Sequence, residues 1–217
     1  MLIGGIDEAG RGSVIGPLVI AGISLNSEKI NHLKEMGVTD SKKISSSRRK
    51  ILFNKILLVS HSIFICKINC STVDRYVLQK GLNKLECKFM TIVADNIKAD
   101  KIIVDCCDVN IERFQMEMKK NLINQNRSLY CFHKADLDNT TVSAASILAK
   151  VTRDKEIERI NYSLGVDIGS GYPSDPKTKL LIQSKDFIER IKPQVRFSWL
   201  PIKKITICNN QTTLFKA

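Results

Sequence analysis

The sequence predicts an α/β fold: a mixed central sheet flanked by helices, with a C-terminal helical or irregular appendage. Three observations carry that prediction. Short apolar, β-branched runs alternate with longer stretches of helical spacing between residues 45 and 161. The first two apolar runs lie close enough together to pair as a hairpin. The 217 residues, 43% apolar and 26% charged, suffice for one sizeable core of ordinary globular composition.

Taken in order, LIGGID (2–7) reads as a buried strand and PLVIAGISL (17–25) as its partner. SSSRRKILFNKILLV (45–59) opens on serine caps and sets Ile51, Ile56 and Val59 at roughly helical spacing. HSIFICKI (61–68) is β-branched and aromatic, a third strand. NKLECKFMTIVADNI (83–97) has a helical pattern, and KIIVD (101–105) is a short buried strand. A short helix over 111–120 and the strand SLYCF (128–132) follow. Residues 139–161 form the longest helix, with Val142, Ala145, Ala149 and Val151 near one face. After GSGYPSDPKT (169–178) a helical stretch runs to about Ile191, followed by a less regular tail whose start Pro193 and Pro201 leave undefined. The expected division is a domain over 1–192 and an appendage over 193–217. No internal repeat or low-complexity segment interrupts the pattern.

Composition narrows the function. The cysteines at 66, 70, 87, 106, 107, 131 and 208 are odd in number and form no Cys-x-x-Cys pair. The histidines at 32, 61 and 133 have no metal-ligand spacing. Reduced, packing cysteines are expected, and no zinc site. No apolar stretch is long enough to span a bilayer, and the start lacks a basic region before its apolar run, so a cytoplasmic protein is expected. Lys and Arg number 34 against 22 acids, a net charge of +12 that suits a polyanion such as nucleic acid.

The segment GGIDEAGRGSVIG (4–16) poses an electrostatic problem, because a glycine-rich turn suited to phosphate follows two adjacent acids, Asp7 and Glu8. A P-loop is excluded, since Arg11 and Gly12 stand where Lys and Ser or Thr are required. Asp7 closes the first strand, Asp105 closes KIIVD, and Asp136 sits between a strand and the long helix. Asp108 and Asp138 read as cap or turn residues. If Asp7, Glu8, Asp105 and Asp136 converge, they require cations, and an all-oxygen set suits Mg²⁺ or Mn²⁺. A two-metal site could then activate water and stabilise the leaving oxygen in phosphodiester cleavage.

Five motifs in order carry a resemblance: GIDEAGRGSVIGPLVIAG, DSKK (40–43), VDCCDV (104–109), HKADLDNTTVSAASILAKVTRD (133–154) and GSGYPSDPKT. Together they resemble type 2 ribonuclease H, ribonuclease HII, in its archaeal form. The resemblance implies a ribonuclease H-like fold and metal-dependent endonucleolytic cleavage of RNA paired to DNA. It extends to single ribonucleotides embedded in duplex DNA, with 3′-hydroxyl and 5′-phosphate products. It implies that Asp7, Glu8, Asp105 and Asp136 are the catalytic, metal-binding quartet, with two ions in the catalytic complex. It also implies that Gly10, Arg11 and Gly12 read the 2′-hydroxyl, that Tyr172 packs on the sugar, and that Lys42 contacts phosphate with Ser41 beside it. A main-chain bond to the 2′-hydroxyl would tell RNA from DNA.

Two positions depart from the family pattern. Ser13 stands where relatives often have proline, which would loosen the loop without removing a ligand. FSWLPIKK (197–204) resembles a segment reading Trp-Lys-Thr, but Leu200 and Pro201 replace its polar residues and put a phosphate contact there in doubt. Gln211, Leu214 and Phe215 resemble a shortened sliding-clamp-binding motif. A basic nucleic-acid binder without turnover is the rival class, and four acids argue against it because a binder gains nothing by repelling phosphate. A type 3 ribonuclease H is disfavoured by the Asp7-Glu8 pair and by the lack of a long N-terminal binding domain. Nothing in the sequence demands more than a monomer.

Overall fold

A computed structural model describes residues 1–38 and 44–205 of the chain. The strands are β1 (Leu2–Ala9), β2 (Leu18–Asn26), β3 (Ser62–Ile68), β4 (Lys101–Asp105) and β5 (Ser128–Phe132). The α-helices include α1 (Ile30–Glu35), α2 (Ser46–Val59), α3 (Cys70–Leu78), α4 (Leu82–Asn96), α5 (Ile111–Asn121), α6 (Ala135–Asp138), α7 (Thr140–Leu164), α8 (Pro176–Leu181) and α9 (Lys185–Arg190), and residues 200–205 are also helical. Among the described residues, no helix is long and apolar enough to cross a membrane.

The chain divides into two compact units. The first takes Met1–Ala9, Val19–Lys67 and Asn83–Thr152; the second takes Gly10–Leu18, Ile68–Leu82 and the described part of Arg153–Ala217. The sheet has the order β3-β2-β1-β4-β5. β1 pairs antiparallel with β2, as a hairpin requires, and parallel with β4, which pairs parallel with β5. The predicted mixed sheet flanked by helices is therefore present.

In the first unit, β2 residues Val19, Ala21, Ile23 and Leu25 pack with Leu52 and Ile56 of α2 and with Ile147 and Leu148 of α7. On the other face of β2, a Cβ on Gly22 would come 2.3 Å from Val93 of α4. Helices thus cover both faces. α7 passes close to Gly5, where a Cβ would stand 2.3 Å from the Thr141 main chain. Only glycine admits that approach. Asn139 caps α7 by accepting the Thr141 and Val142 N–H groups at 3.0 and 3.2 Å.

The second unit has its own core. Val14, Ile15, Ile157, Ile168, Ile182 and Ile191 are buried together, with Phe197 and Trp199 packed against them.

Several expectations need correction. α2 turns Leu52 and Ile56 inward, a spacing of four, while Ile51 is half exposed. Asp7 does not close β1, which runs on through Glu8 to Ala9 because that segment still pairs with β2. The stretch up to Ile191 is two short helices, since Ser184 caps a new start at α9. The helices α1, α3 and α6 were not expected.

The described cysteines are free. Burial pushes the Cys87 thiol up to about 11 and the Cys131 thiol up to about 12. Such thiols are inert packing groups at neutral pH.

Candidate active site

Register brings two acids together in the first unit. Gly5 and Ile6 of β1 lie beside Ile103 and Val104 of β4. One step further along both strands come Asp7 and Asp105, whose side chains leave the same face of adjacent strands. This is the carboxyl end of parallel strands, where open α/β sheets place their ligands. Asp7 is buried. Its pKa is raised well above the usual carboxylate range, first by burial, then by the charges of Glu8 and Asp105. The Ser146 hydroxyl of α7 and the Glu8 N–H, 2.7 Å from Asp7 Oδ1, oppose the rise without cancelling it.

Asp105 Oδ1 accepts the Ala135 N–H at 2.9 Å, which ties the end of β4 to the start of α6. The next residue, Asp136, is buried, and its carbonyl accepts the Ser143 hydroxyl of α7 at 2.6 Å. Lys134, just before, adopts a left-handed conformation that makes the sharp turn into α6. Asp7, Glu8, Asp105 and Asp136 thus belong to one unit and to touching elements. Among the described residues, no three His, Cys, Asp or Glu side chains are already gathered into a cage for an ion. The donor chemistry nevertheless fits a hard divalent cation: the acids offer only oxygen, and Asp7 carries a repulsion that a cation would relieve.

Asp108 has a structural role. It accepts the Asn110 N–H at 2.9 Å and pairs with Arg113 at 2.6 Å. Burial works to raise its pKa, yet these donors hold it below the usual range.

The second unit contains the glycine loop. Gly10 has φ +87°, and a Cβ there would lie 2.7 Å from the Pro17 carbonyl, so this position requires glycine. Gly12 differs. It is exposed, its φ is not in the left-handed region, and a Cβ would meet nothing within 4 Å. Ser13 does not loosen the loop: it is fully buried and returns both its N–H (3.3 Å) and its hydroxyl (3.0 Å) to the Gly10 carbonyl. Proline could supply neither bond.

The structure joins this loop to the one bearing Tyr172. The Gly171 carbonyl accepts the N–H groups of Val14 and Ile15 at 2.9 and 3.1 Å. Gly171 in turn donates to Thr178 Oγ1, and Asp175 caps α8 while accepting the Ser170 N–H at 2.9 Å. Arg153, buried, lies 4.6 Å from the Tyr172 ring centroid and donates to the Ser170 carbonyl. Tyr172 is half-buried on this platform. Gly10, Arg11, Gly12 and Tyr172 therefore share one hydrogen-bonded assembly.

Ser41 and Lys42 lie outside the described residues, as do Gln211, Leu214 and Phe215. Sequence reasoning missed Ser146, Arg153 and Arg196. Ser143 and Ser146 gave a usable signal, two hydroxyls three apart in a run otherwise fit for burial. The arginines gave none, because a basic residue reads as surface by default.

The ribonuclease HII family model matches residues 4–202. A ribonuclease HII of Cenarchaeum symbiosum is 41% identical over 94% of this chain and 98% of its own length. The crystal structure of the ribonuclease H2 from Pyrococcus horikoshii superposes with a TM-score of 0.85 at 37% identity, covering 94% of this chain and 97% of the other. The ribonuclease HII in a complex with PCNA from Archaeoglobus fulgidus gives 0.83 at 36% identity, covering 92% and 95%.

Proposed function

The chain belongs to the ribonuclease HII family and is an endoribonuclease that cuts RNA paired to DNA, and from that premise we propose a metal-dependent nuclease that also cuts at single ribonucleotides embedded in duplex DNA. The observation that carries the metal dependence is the buried Asp7 carboxyl, crowded by Glu8 and Asp105 and raised in pKa. A cation held among these carboxylates would relieve that repulsion.

Asp7, Glu8, Asp105 and Asp136 would hold two Mg²⁺ or Mn²⁺ ions. Bound there, the ions would supply an activated water and neutralise the charge on the leaving oxygen. Ser146 steadies the Asp7 carboxylate, and Ala135 fixes the orientation of Asp105. Gly10, Arg11 and Gly12 meet the ribose through their main chain, with open space beside Gly12 for the sugar. Tyr172, backed by Arg153, packs on the neighbouring sugar. Lys42, with Ser41, contacts phosphate. Water attacks phosphorus and the bond to the 3′-oxygen breaks, which leaves 3′-hydroxyl and 5′-phosphate ends. The segment Gln211–Phe215 binds a sliding clamp, a reading supported by the PCNA complex of the Archaeoglobus relative.

The test is a duplex carrying one ribonucleotide, incubated with the full chain and Mg²⁺ or Mn²⁺, with the cut mapped on a sequencing gel. Cleavage beside the ribonucleotide that EDTA abolishes is expected. Cleavage that survives EDTA, or that ignores the ribonucleotide, would overturn the reading.

A further inference from the structure

Arg196 is fully buried, and burial draws its guanidinium pKa downward. Hiding a cation costs free energy that a packed aliphatic side chain would not. Its bonds give the reason. Nη1 donates to the Arg11 carbonyl at 2.9 Å, while Nε and Nη2 donate to the Gly16 carbonyl at 3.2 and 3.0 Å. One planar fork grips the glycine loop near its start and at its exit, which an ammonium could not do.

The fork is itself held in place. The Arg196 N–H donates to the Val14 carbonyl at 2.9 Å. Asp74 accepts the N–H groups of Phe197 and Ser198 at 2.8 and 3.0 Å, and the Trp199 ring centroid lies 5.1 Å from the guanidinium. The FSW segment, whose polar continuation this chain lacks, therefore works from inside the unit.

Peptide geometry gives the consequence. In a trans peptide the C=O and the N–H of one plane point in opposite directions, and no described peptide is cis. Because the Arg11 carbonyl faces Arg196, the Gly12 N–H faces away from it. Gly12 is exposed, and a Cβ there would meet nothing within 4 Å. We propose that Arg196 is a positioning residue: by holding the Arg11 carbonyl, it aims the Gly12 N–H outward as the donor that distinguishes a ribose from a deoxyribose. This rests on the reading that the Gly10–Gly12 loop meets the ribose.

The experiment uses the full chain and two duplexes that differ only in one ribonucleotide. KM and kcat are measured on the ribonucleotide duplex, and the all-DNA duplex is titrated as a competitive inhibitor. In the wild type, KM lies below the inhibition constant of the all-DNA duplex. In Arg196→Met, KM rises about tenfold, the worth of one good hydrogen bond. The all-DNA inhibition constant does not move, and Arg196→Lys stays impaired. A purely structural role would instead weaken both duplexes alike or lower only the melting temperature. A folded Arg196→Met that keeps the wild-type ratio would overturn the inference. A wild type that does not distinguish the two duplexes would overturn the loop reading instead. If the variants do not fold, the wild-type protein supplies the second readout. Its Gly12 amide resonance should shift with the ribonucleotide duplex and stay still with the all-DNA one; equal shifts with both refute the proposal.

Discussion

Gly12 shows how a single position can separate packing from function. Gly10 is glycine because its φ and its nearness to the Pro17 carbonyl demand it. Gly12 is under neither constraint, so folding alone does not explain it. Gly12→Leu should leave thermal stability within about 0.5 kcal/mol of wild type, as surface changes do, while cleavage at a single ribonucleotide falls at least about tenfold. Metal binding should be kept. Paired melting curves and initial rates check this, and a variant that melts early yet cleaves normally would return Gly12 to a structural role. Asp105 is the opposite case, a residue whose function strains the fold. Its charge helps raise the Asp7 pKa, so Asp105→Asn removes a repulsion along with a ligand. In EDTA the variant should melt no lower than wild type. Added Mg²⁺ should stabilise it less than wild type, and turnover should fall by roughly two orders of magnitude or more. Near-normal cleavage would remove Asp105 from the site.

The elements show where sequence reading succeeds and where it stops. β1, β2, β4 and β5 were legible because short β-branched runs ending in acids or turns have few alternatives. With them came the place of Asp105 at a strand end. α7 was legible as a helix but not by face, since residues 141–149 are buried all round. α1 and α6, six and four residues long, are too short to show a period. α3 is amphipathic, yet its caps gave no strong start beyond Asn69. The Tyr172 loop depends on α8 in a way the string GSGYPSDPKT did not disclose. Asp175 caps that helix and holds the Ser170 N–H, and those bonds, the Ser170 amide first, hold its pKa below the usual carboxylate range. A carboxyl with a depressed folded-state pKa contributes stability above its unfolded value, and that contribution is lost as pH falls through the folded one. Asp175→Ala should therefore cost about 1 kcal/mol near neutral pH. The gap to wild type should narrow as pH falls from the ordinary carboxylate range through the lower folded-state pKa, because a protonated cap is a weaker acceptor. Thermal melts of both proteins across that range check it, and a gap constant with pH would show that the charge contributes nothing.

For the molecule as a whole, charge and tail bear on how a substrate and a partner are found. A net charge of +12 draws any nucleic acid, so selectivity has to come from a few directed groups rather than from affinity. A polymeric substrate also raises the question of where on long DNA the enzyme works. The tail NNQTTLFKA offers an answer through two apolar residues, Leu214 and Phe215, in an otherwise polar stretch. The glutamine three positions before the leucine gives the spacing of a clamp-binding peptide, shortened here because Lys216 and Ala217 follow a single aromatic. A clamp pocket would bury both side chains, at about 25 cal/mol for each Å² of apolar surface removed from water. Burial on the chain's own domain would use the same surface, so the two outcomes compete for the same residues. Clamp binding predicts that deleting residues 211–217 abolishes association with the cognate clamp, while cleavage of short duplexes, which need no clamp, is unchanged. Packing on the domain predicts the reverse: a lower melting temperature for the truncated chain and no change in clamp affinity. Calorimetry on full-length and truncated proteins separates them, and a full-length chain that shows no heat of binding with the clamp at high micromolar concentration rules the clamp out.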